Sequence, residues 1–208
     1  MCYQKPVDTM KSADPSLARV CCDLAHIYRI IATKVTFDFL RRDGTWQRQN
    51  RETYDRGNGA TILLHSPRTG NVILTRQFRM PAFVNGHDGM MIEAPGGLLD
   101  DASPEERIRL EVEEETGYRV GEVHKIFEAY MSPGSVTEKL YFYVGEYDAS
   151  MRVNDGGGVE DEGEDVEVIE MPLQAALRAV DAGEIVDGKT IMLLQYVALR
   201  GFASARAT

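Results

Sequence analysis

The chain has 208 residues, 43% of them hydrophobic and 27% charged, and a formal net charge of −10. That size permits one domain, or one domain with an added subdomain, and a core that needs no metal or disulfide staple. The acidic balance argues against nucleic acid as a partner, since such binding relies on a basic face, and no apolar run approaches the roughly 20 residues of a membrane helix.

Residues 1–25 read as a weakly structured lead-in without the basic-then-apolar order of a signal peptide. Cytoplasmic localisation is therefore the expectation, and no membrane partner is expected. The three cysteines, Cys2, Cys21 and Cys22, are odd in number and lack CxxC spacing, so neither a disulfide framework nor a zinc site is expected. Residues 26–56 read as an N-terminal antiparallel sheet: β-branched and aromatic residues crowd Ile27 to Arg41, Asp43-Gly44 marks a hairpin turn, and Thr45 to Tyr54 returns. Residues 57–208 form the main domain. Its strands are expected at Ala60 to His65, Asn71 to Phe78, Val123 to Tyr130, Leu140 to Tyr147 and Val166 to Met171, with a loop over 81–92. Closing helices are expected at Leu173 to Ala182 and Thr190 to Leu199. The most strongly punctuated element is a helix over 104–116: Ser103 caps it, Pro104 suits its first position, Glu106 completes a capping box and Gly117 ends it. This order predicts an α/β fold, an α/β/α layered domain with a mixed sheet.

Acidity is concentrated in two places. Residues 100–117 carry a local charge of −6 and residues 160–170 carry −7, which leaves the remainder at about +3. Within the helix, Glu111, Glu114 and Glu115 stand at i, i+3 and i+4 and share one face, where like charges destabilise a bare helix by ~0.2–0.5 kcal/mol per pair. Arg107 is near Glu111, and Arg109 is the expected ion-pair partner of Glu113. One reading is a solvated acidic face, the usual fate of a charge run. The other is a seat for hard divalent cations, which carboxylates and phosphates hold together. A second acidic loop able to close the same site favours the metal.

The stretch from Gly96-Gly97-Leu98-Leu99-Asp100 through Ser103-Pro104-Glu105-Glu106 to Glu111-Val112-Glu113-Glu114-Glu115-Thr116-Gly117-Tyr118 resembles the Nudix box, G-x5-E-x7-R-E-U-x-E-E-x-G-U. Ala102 stands at the first Glu of that pattern and Leu110 at its Arg, a position from which leucine cannot orient a glutamate. Further similarity to the ADP-ribose pyrophosphatase branch, and within it to bacterial GDP-mannose pyrophosphatases, runs through Arg51-Glu52-Thr53-Tyr54, Arg76-Gln77-Phe78-Arg79, Tyr130 to Gly134, Thr137-Glu138, Gly156 to Glu162 and Asp187-Gly188-Lys189-Thr190.

The resemblance implies a Nudix α/β/α sandwich and a homodimer that exchanges its N-terminal sheet. It further implies Mg²⁺-dependent cleavage, with Mn²⁺ as a substitute, of the pyrophosphate of a nucleoside diphosphate sugar. GDP-mannose, giving GMP and mannose 1-phosphate, comes first; ADP-ribose hydrolysis and non-catalytic nucleotide-sugar binding are the alternatives. Metal ligands would be Glu111, Glu115 and the carbonyl of Gly96, with Glu114 on the same face and a carboxylate from the acidic loop. Glu162 is first choice for that carboxylate and for the base, with Glu164 in its place if the longer loop shifts the register. Arg79 and Arg76 would hold the diphosphate, although the pair also reads as strand-end surface charge. Arg51 and Glu52 of the second subunit would grip the nucleotide, and Gly97, Leu98, Asp161, Glu138 and Lys189 would complete the substrate site. Glu138 and Lys189 otherwise read as surface ion-pair residues, and Tyr28 either stacks on the base or packs in the core or interface. His26, His65, His87 and His124 lack metal-ligand spacing and read as structural, and Met80, Met90 and Met91 read as packing residues.

Overall fold

Period-two burial decides the layering. The computed structural model describes residues 31–201, in which β1 (Ile31–Leu40) and β2 (Trp46–Asp55) form a two-stranded antiparallel sheet of their own. The main sheet follows, from β3 (Gly59–His65), β4 (Asn71–Phe78), β5 (Met90–Glu93), β6 (Gly96–Leu98), β7 (Val123–Tyr130), β8 (Lys139–Glu146) and β9 (Glu167–Pro172). Its path runs β5-β4-β3-β8-β7, with β6 also pairing β3 and β9 pairing β4; β3 and β8 are parallel and the other pairs antiparallel. The sheet is thus mixed.

Alternate residues of the central strands feed two cores. Leu63, Val72, Leu74, Phe142 and Val144 pack on one side against α3 (Leu173–Asp181) and α4 (Gly188–Arg200). Ile62, Leu64, Ile73 and Tyr143 pack on the other against Ile108 and Val112 of α2 (Pro104–Thr116). β3 is covered on both faces, which explains its unbroken apolar run Ile62-Leu63-Leu64. The fold is the expected α/β/α sandwich. Among the described residues no helix is long and apolar enough to cross a membrane.

Two local expectations need correction. The segment 81–92 is not all loop, because it holds the end of the short helix α1 (Met80–Val84) and most of β5. Pro81 pre-sets the first turn of α1, and β5 exists because β4 supplies its partners, Gln77 opposite Met91 and Arg76 opposite Ile92. Arg109 pairs with Glu105 at 2.5 Å, while Glu113 is held by Arg119 at 2.6 Å, so the expected Arg109–Glu113 pair does not form. Ile27 and Tyr28 lie outside the described residues, and the described part of the first strand starts at Ile31.

Candidate active site

The helix that carries the acidic face begins and ends as its sequence dictates. Ser103 accepts from the Glu106 N–H while the Glu106 carboxylate accepts from the Ser103 N–H, and Gly117 closes the helix at φ 76°. This fixed start aims Ile108 and Val112 into the core, and the adjoining stripe, Glu111 and Glu115, goes inward with them. Glu115 is 2% exposed and Glu111 5%.

What these carboxylates meet is the backbone of β6. The Gly96 N–H donates to Glu115 Oε2 at 3.1 Å, and Gln77 Nε2 donates to Oε1 at 3.4 Å. A Cβ at residue 97 would lie 1.8 Å from Glu111 Oε1, so glycine is required there by the approach of the carboxylate. Burial, with Glu111 beside it, pushes Glu115 up to about 8; the Gly96 N–H offsets only part of this and Glu164 adds to it. Burial likewise raises Glu111 to about 7, against the opposing pull of Arg107 and with Glu114 and Glu164 adding to the rise. Two buried carboxylates held at this cost are short of positive charge.

The acidic loop reaches the same place through three glycines. Gly156, Gly157 and Gly158 have φ of 68°, 113° and 82°, a left-handed run that other residues resist. Their conformation lets the Gly157 and Gly158 N–H groups donate to the carbonyls of Glu115 and Glu114, both at 3.0 Å, satisfying acceptors that the helix end leaves unpaired. A turn at Glu160–Glu162 follows, and Glu164 comes back with its Oε2 accepting from the Val159 N–H at 2.9 Å. A Cβ at residue 158 would meet that carboxylate at 2.6 Å. Asp161 is exposed, and the side chain of Glu162 lies outside the described residues.

Gly96 and Gly97 also line a cleft of about 470 Å³, whose lining includes Arg79, Glu93, Leu98, Glu138 and Lys189. Glu93 organises its charge. The carboxylate is 4% exposed and is bound by Arg79 at 2.7 Å and Lys189 at 3.1 Å. Burial raises it, but Lys189 and Arg79 prevail and hold it below its ordinary value. Lys189 also reaches Asp187 at 3.0 Å. Asp187 in turn caps α4 by accepting from the Thr190 N–H, and the Thr190 hydroxyl accepts from the Ala94 N–H at 2.6 Å.

Of the residues singled out from sequence, the structure brings Gly96, Gly97, Leu98, Arg79, Glu138 and Lys189 to the cleft, sets Glu111 and Glu115 against the Gly96–Gly97 wall, and brings Glu164 near both. Glu114 flanks that wall, 3.9 Å from Arg107. Arg76 is not brought there; its guanidinium pairs at 2.5 Å with Glu167 on the neighbouring strand β9, where both side chains are exposed. Arg51 and Glu52 are exposed on the hairpin and do not line the cleft of their own chain. Tyr28 lies outside the described residues. Sequence reading missed Glu93, although a single acid ending the apolar strand Met90–Glu93 just before two glycines was a readable signal.

Among the described residues no three carboxylate, imidazole or thiol groups already surround one metal-sized point. The donor set nevertheless fits a hard divalent cation: Mg²⁺ commonly takes one or two carboxylates and completes its shell with water and substrate phosphate. The under-compensated pair Glu111 and Glu115, with Glu164 facing them, offers oxygen ligands only.

The family model described as the GDP-mannose pyrophosphatase NudK N-terminal domain matches residues 31–54, and the NUDIX domain model matches residues 55–194. The chain is 59% identical over 173 residues to a GDP-mannose pyrophosphatase of Pectobacterium atrosepticum, covering 83% of this chain and 89% of that one. Proteins of the same name from Yersinia enterocolitica (56% over 169 residues, 81% and 87% covered) and Escherichia coli (55% over 164 residues, 78% and 85% covered) are similar to it.

Proposed function

Since the chain belongs to the Nudix family, we propose that it hydrolyses the pyrophosphate bond of GDP-mannose to GMP and mannose 1-phosphate, using Mg²⁺, with Mn²⁺ as a substitute. The observation that carries the reading is the shared Gly96–Gly97 wall, with buried carboxylates packed against it and the cations Arg79 and Lys189 lining the same cleft. A polyanionic diphosphate suits this polarity. The GDP-mannose pyrophosphatase relatives, which the chain matches over most of their length, favour that substrate over ADP-ribose.

Glu111 and Glu115, with the Gly96 carbonyl, Glu114 and Glu164 beside them, would hold the divalent ions. Such ions supply positive charge against the diphosphate and ease the deprotonation of water. Glu93 binds Nε and Nη2 of Arg79 while the side chain stays 39% exposed, so the guanidinium is held in place for phosphate oxygens before substrate arrives. Lys189 is placed the same way between Glu93 and Asp187. The two acids balance the two cations, which keeps the empty cleft from repelling itself. Glu164 serves as general base in preference to Glu162, because its carboxylate is fixed by Val159 and faces Glu111 and Glu115.

The working unit in this reading is a homodimer, and its location the cytoplasm. A lone two-stranded hairpin is marginal in water, yet β1 presents Val35, Phe37 and Phe39 on one face at 41%, 37% and 50% exposure. Arg51 pairs opposite Val35 and shares that face, and Glu52 follows it. Cover from a second copy would bury the aromatics and deliver Arg51 and Glu52 to the partner's cleft. Mixing inactive Glu115→Gln and inactive Glu52→Ala chains should then restore activity, since a mixed dimer retains one intact site. Two variants that stay inactive when mixed, or a monomer in sedimentation velocity, would refute the exchange.

The function is tested by product analysis with GDP-mannose, ADP-ribose and UDP-glucose, with and without Mg²⁺. GMP release from GDP-mannose with the highest kcat/KM, abolished by chelator, is expected. A higher kcat/KM for ADP-ribose would reassign the substrate, and tight binding without product would mark a non-catalytic module.

A further inference from the structure

We propose that Arg107 is a positioning residue that fixes the Glu111 carboxylate from one helical turn upstream, a task for which Leu110 has no charge. The inference rests on the metal-site reading above and deepens it. Residues 107 and 111 lie four apart on α2 and so stand one above the other. Arg107 Nη2 is 2.5 Å from Glu111 Oε1 and 3.9 Å from Glu114 Oε2, and the side chains of Arg107 and Glu111 are only 21% and 6% exposed. Leu110, by contrast, is 50% exposed and apolar.

The oxygen that Arg107 holds is the informative detail. Glu111 Oε1 is the same atom that would lie 1.8 Å from a Cβ at residue 97. Arg107 therefore steers the carboxylate into the one gap that Gly97 leaves beside the cleft wall. The arrangement is not the one that stability alone would select: among the described residues the buried Nε of Arg107 meets no hydrogen-bond acceptor, and buried donors are ordinarily satisfied. The guanidinium is placed for the carboxylates at the expense of its own third donor site. Since a single nitrogen makes the contact, a lysine ammonium can replace it in part.

The test compares the full chain with Arg107→Met, Arg107→Gln and Arg107→Lys. It reads kcat and KM for GMP release, Mn²⁺ affinity from the electron spin resonance of free Mn²⁺, and the Tm of the metal-free protein. Removing a positive charge near a cation site should by itself tighten Mn²⁺ binding, whereas loss of positioning weakens it, so the sign separates the two. We expect Met and Gln to weaken Mn²⁺ binding and lower kcat by roughly 10–100-fold, the usual effect of losing a group that orients a ligand. KM should change less than kcat, Tm should move by only a few degrees, and Lys should recover most of the loss. Unchanged or tighter Mn²⁺ binding in the folded Met or Gln variant, or Lys no better than Met, would overturn the proposal. The paired Met and Gln variants guard against a folding failure of either. An unaltered chain that released no GMP would sink the substrate reading instead, and the Mn²⁺ comparison would still decide the role of Arg107.

Discussion

Glu115→Gln should lower kcat by about 10³-fold or more and, in the metal-free protein, raise stability above neutral pH. The two effects have opposite signs because one group causes both. Glutamine keeps an acceptor for the Gly96 N–H that now binds Glu115 Oε2, so the fold is retained. It cannot supply the anionic oxygen, and a loss of ~4 kcal/mol of transition-state stabilisation corresponds to about 10³ in rate. Stability follows from linkage. Burial and Glu111 hold Glu115 at about 8 in the folded chain, with Glu164 adding to the rise and Gly96 and Arg79 opposing it. The unfolded value is the ordinary one near 4.5. A carboxyl raised on folding contributes stability that is complete below the unfolded value and is lost as pH climbs through the folded one. The metal-free wild type should therefore weaken between about pH 5 and 8.5, and Glu111, raised to about 7 from the same model value, adds to the trend. The glutamine variant escapes the Glu115 share, on the order of 2 kcal/mol or more, which is roughly 4–8 °C in Tm for a chain this long. Calorimetry in chelator at pH 6 and 8.5 reads the difference directly. A variant less stable than wild type at the higher pH, or one with near-normal kcat, would remove Glu115 from the metal site.

How much of this was legible in the sequence depends on how local the cause is. The cap, the capping box and the end of α2 are each decided within four residues, and Ser103, Glu106 and Gly117 sit where their chemistry predicts. The acidic face was legible for the same reason, as spacing alone puts Glu111 and Glu115 on one side. β5 was hidden among glycines because four residues become a strand only when Gln77 and Arg76 offer partners. The partner of Glu113 was misread because Arg119 lies past the helix end, and only the turn at Gly117 brings it back. Glu93 was overlooked since its importance comes from Lys189, 96 positions later, and from Arg79 in the link between β4 and α1. Arg107 was noticed beside Glu111, but that it holds the oxygen nearest to Gly97 is a fact of packing that no periodicity encodes.

The loop carboxylate shows the same boundary and yields the second large effect. From sequence, Glu162 and Glu164 are two acids in one acidic run, and spacing gives no means to choose. The backbone does. Two of the three left-handed glycines, Gly157 and Gly158, bind the loop to the carbonyls of Glu115 and Glu114, and the return path brings Glu164 to Val159, against the bare backbone of Gly158. If Glu164 is the proposed base, Glu164→Gln should cut kcat by about 10²–10⁴, the range for losing a positioned general base. KM should change less than kcat, since loss of a base acts first on the chemical step. Glu162→Gln should keep most of the wild-type rate. Gly158→Ala should behave like Glu164→Gln, because its methyl would stand 2.6 Å from the Glu164 carboxylate at a φ of +82°. Single-turnover GMP release separates chemistry from product release in all three variants. The opposite ranking, with Glu162→Gln inactive and Glu164→Gln near normal, would transfer the base to Glu162 and leave Glu164 as a structural clasp of the loop.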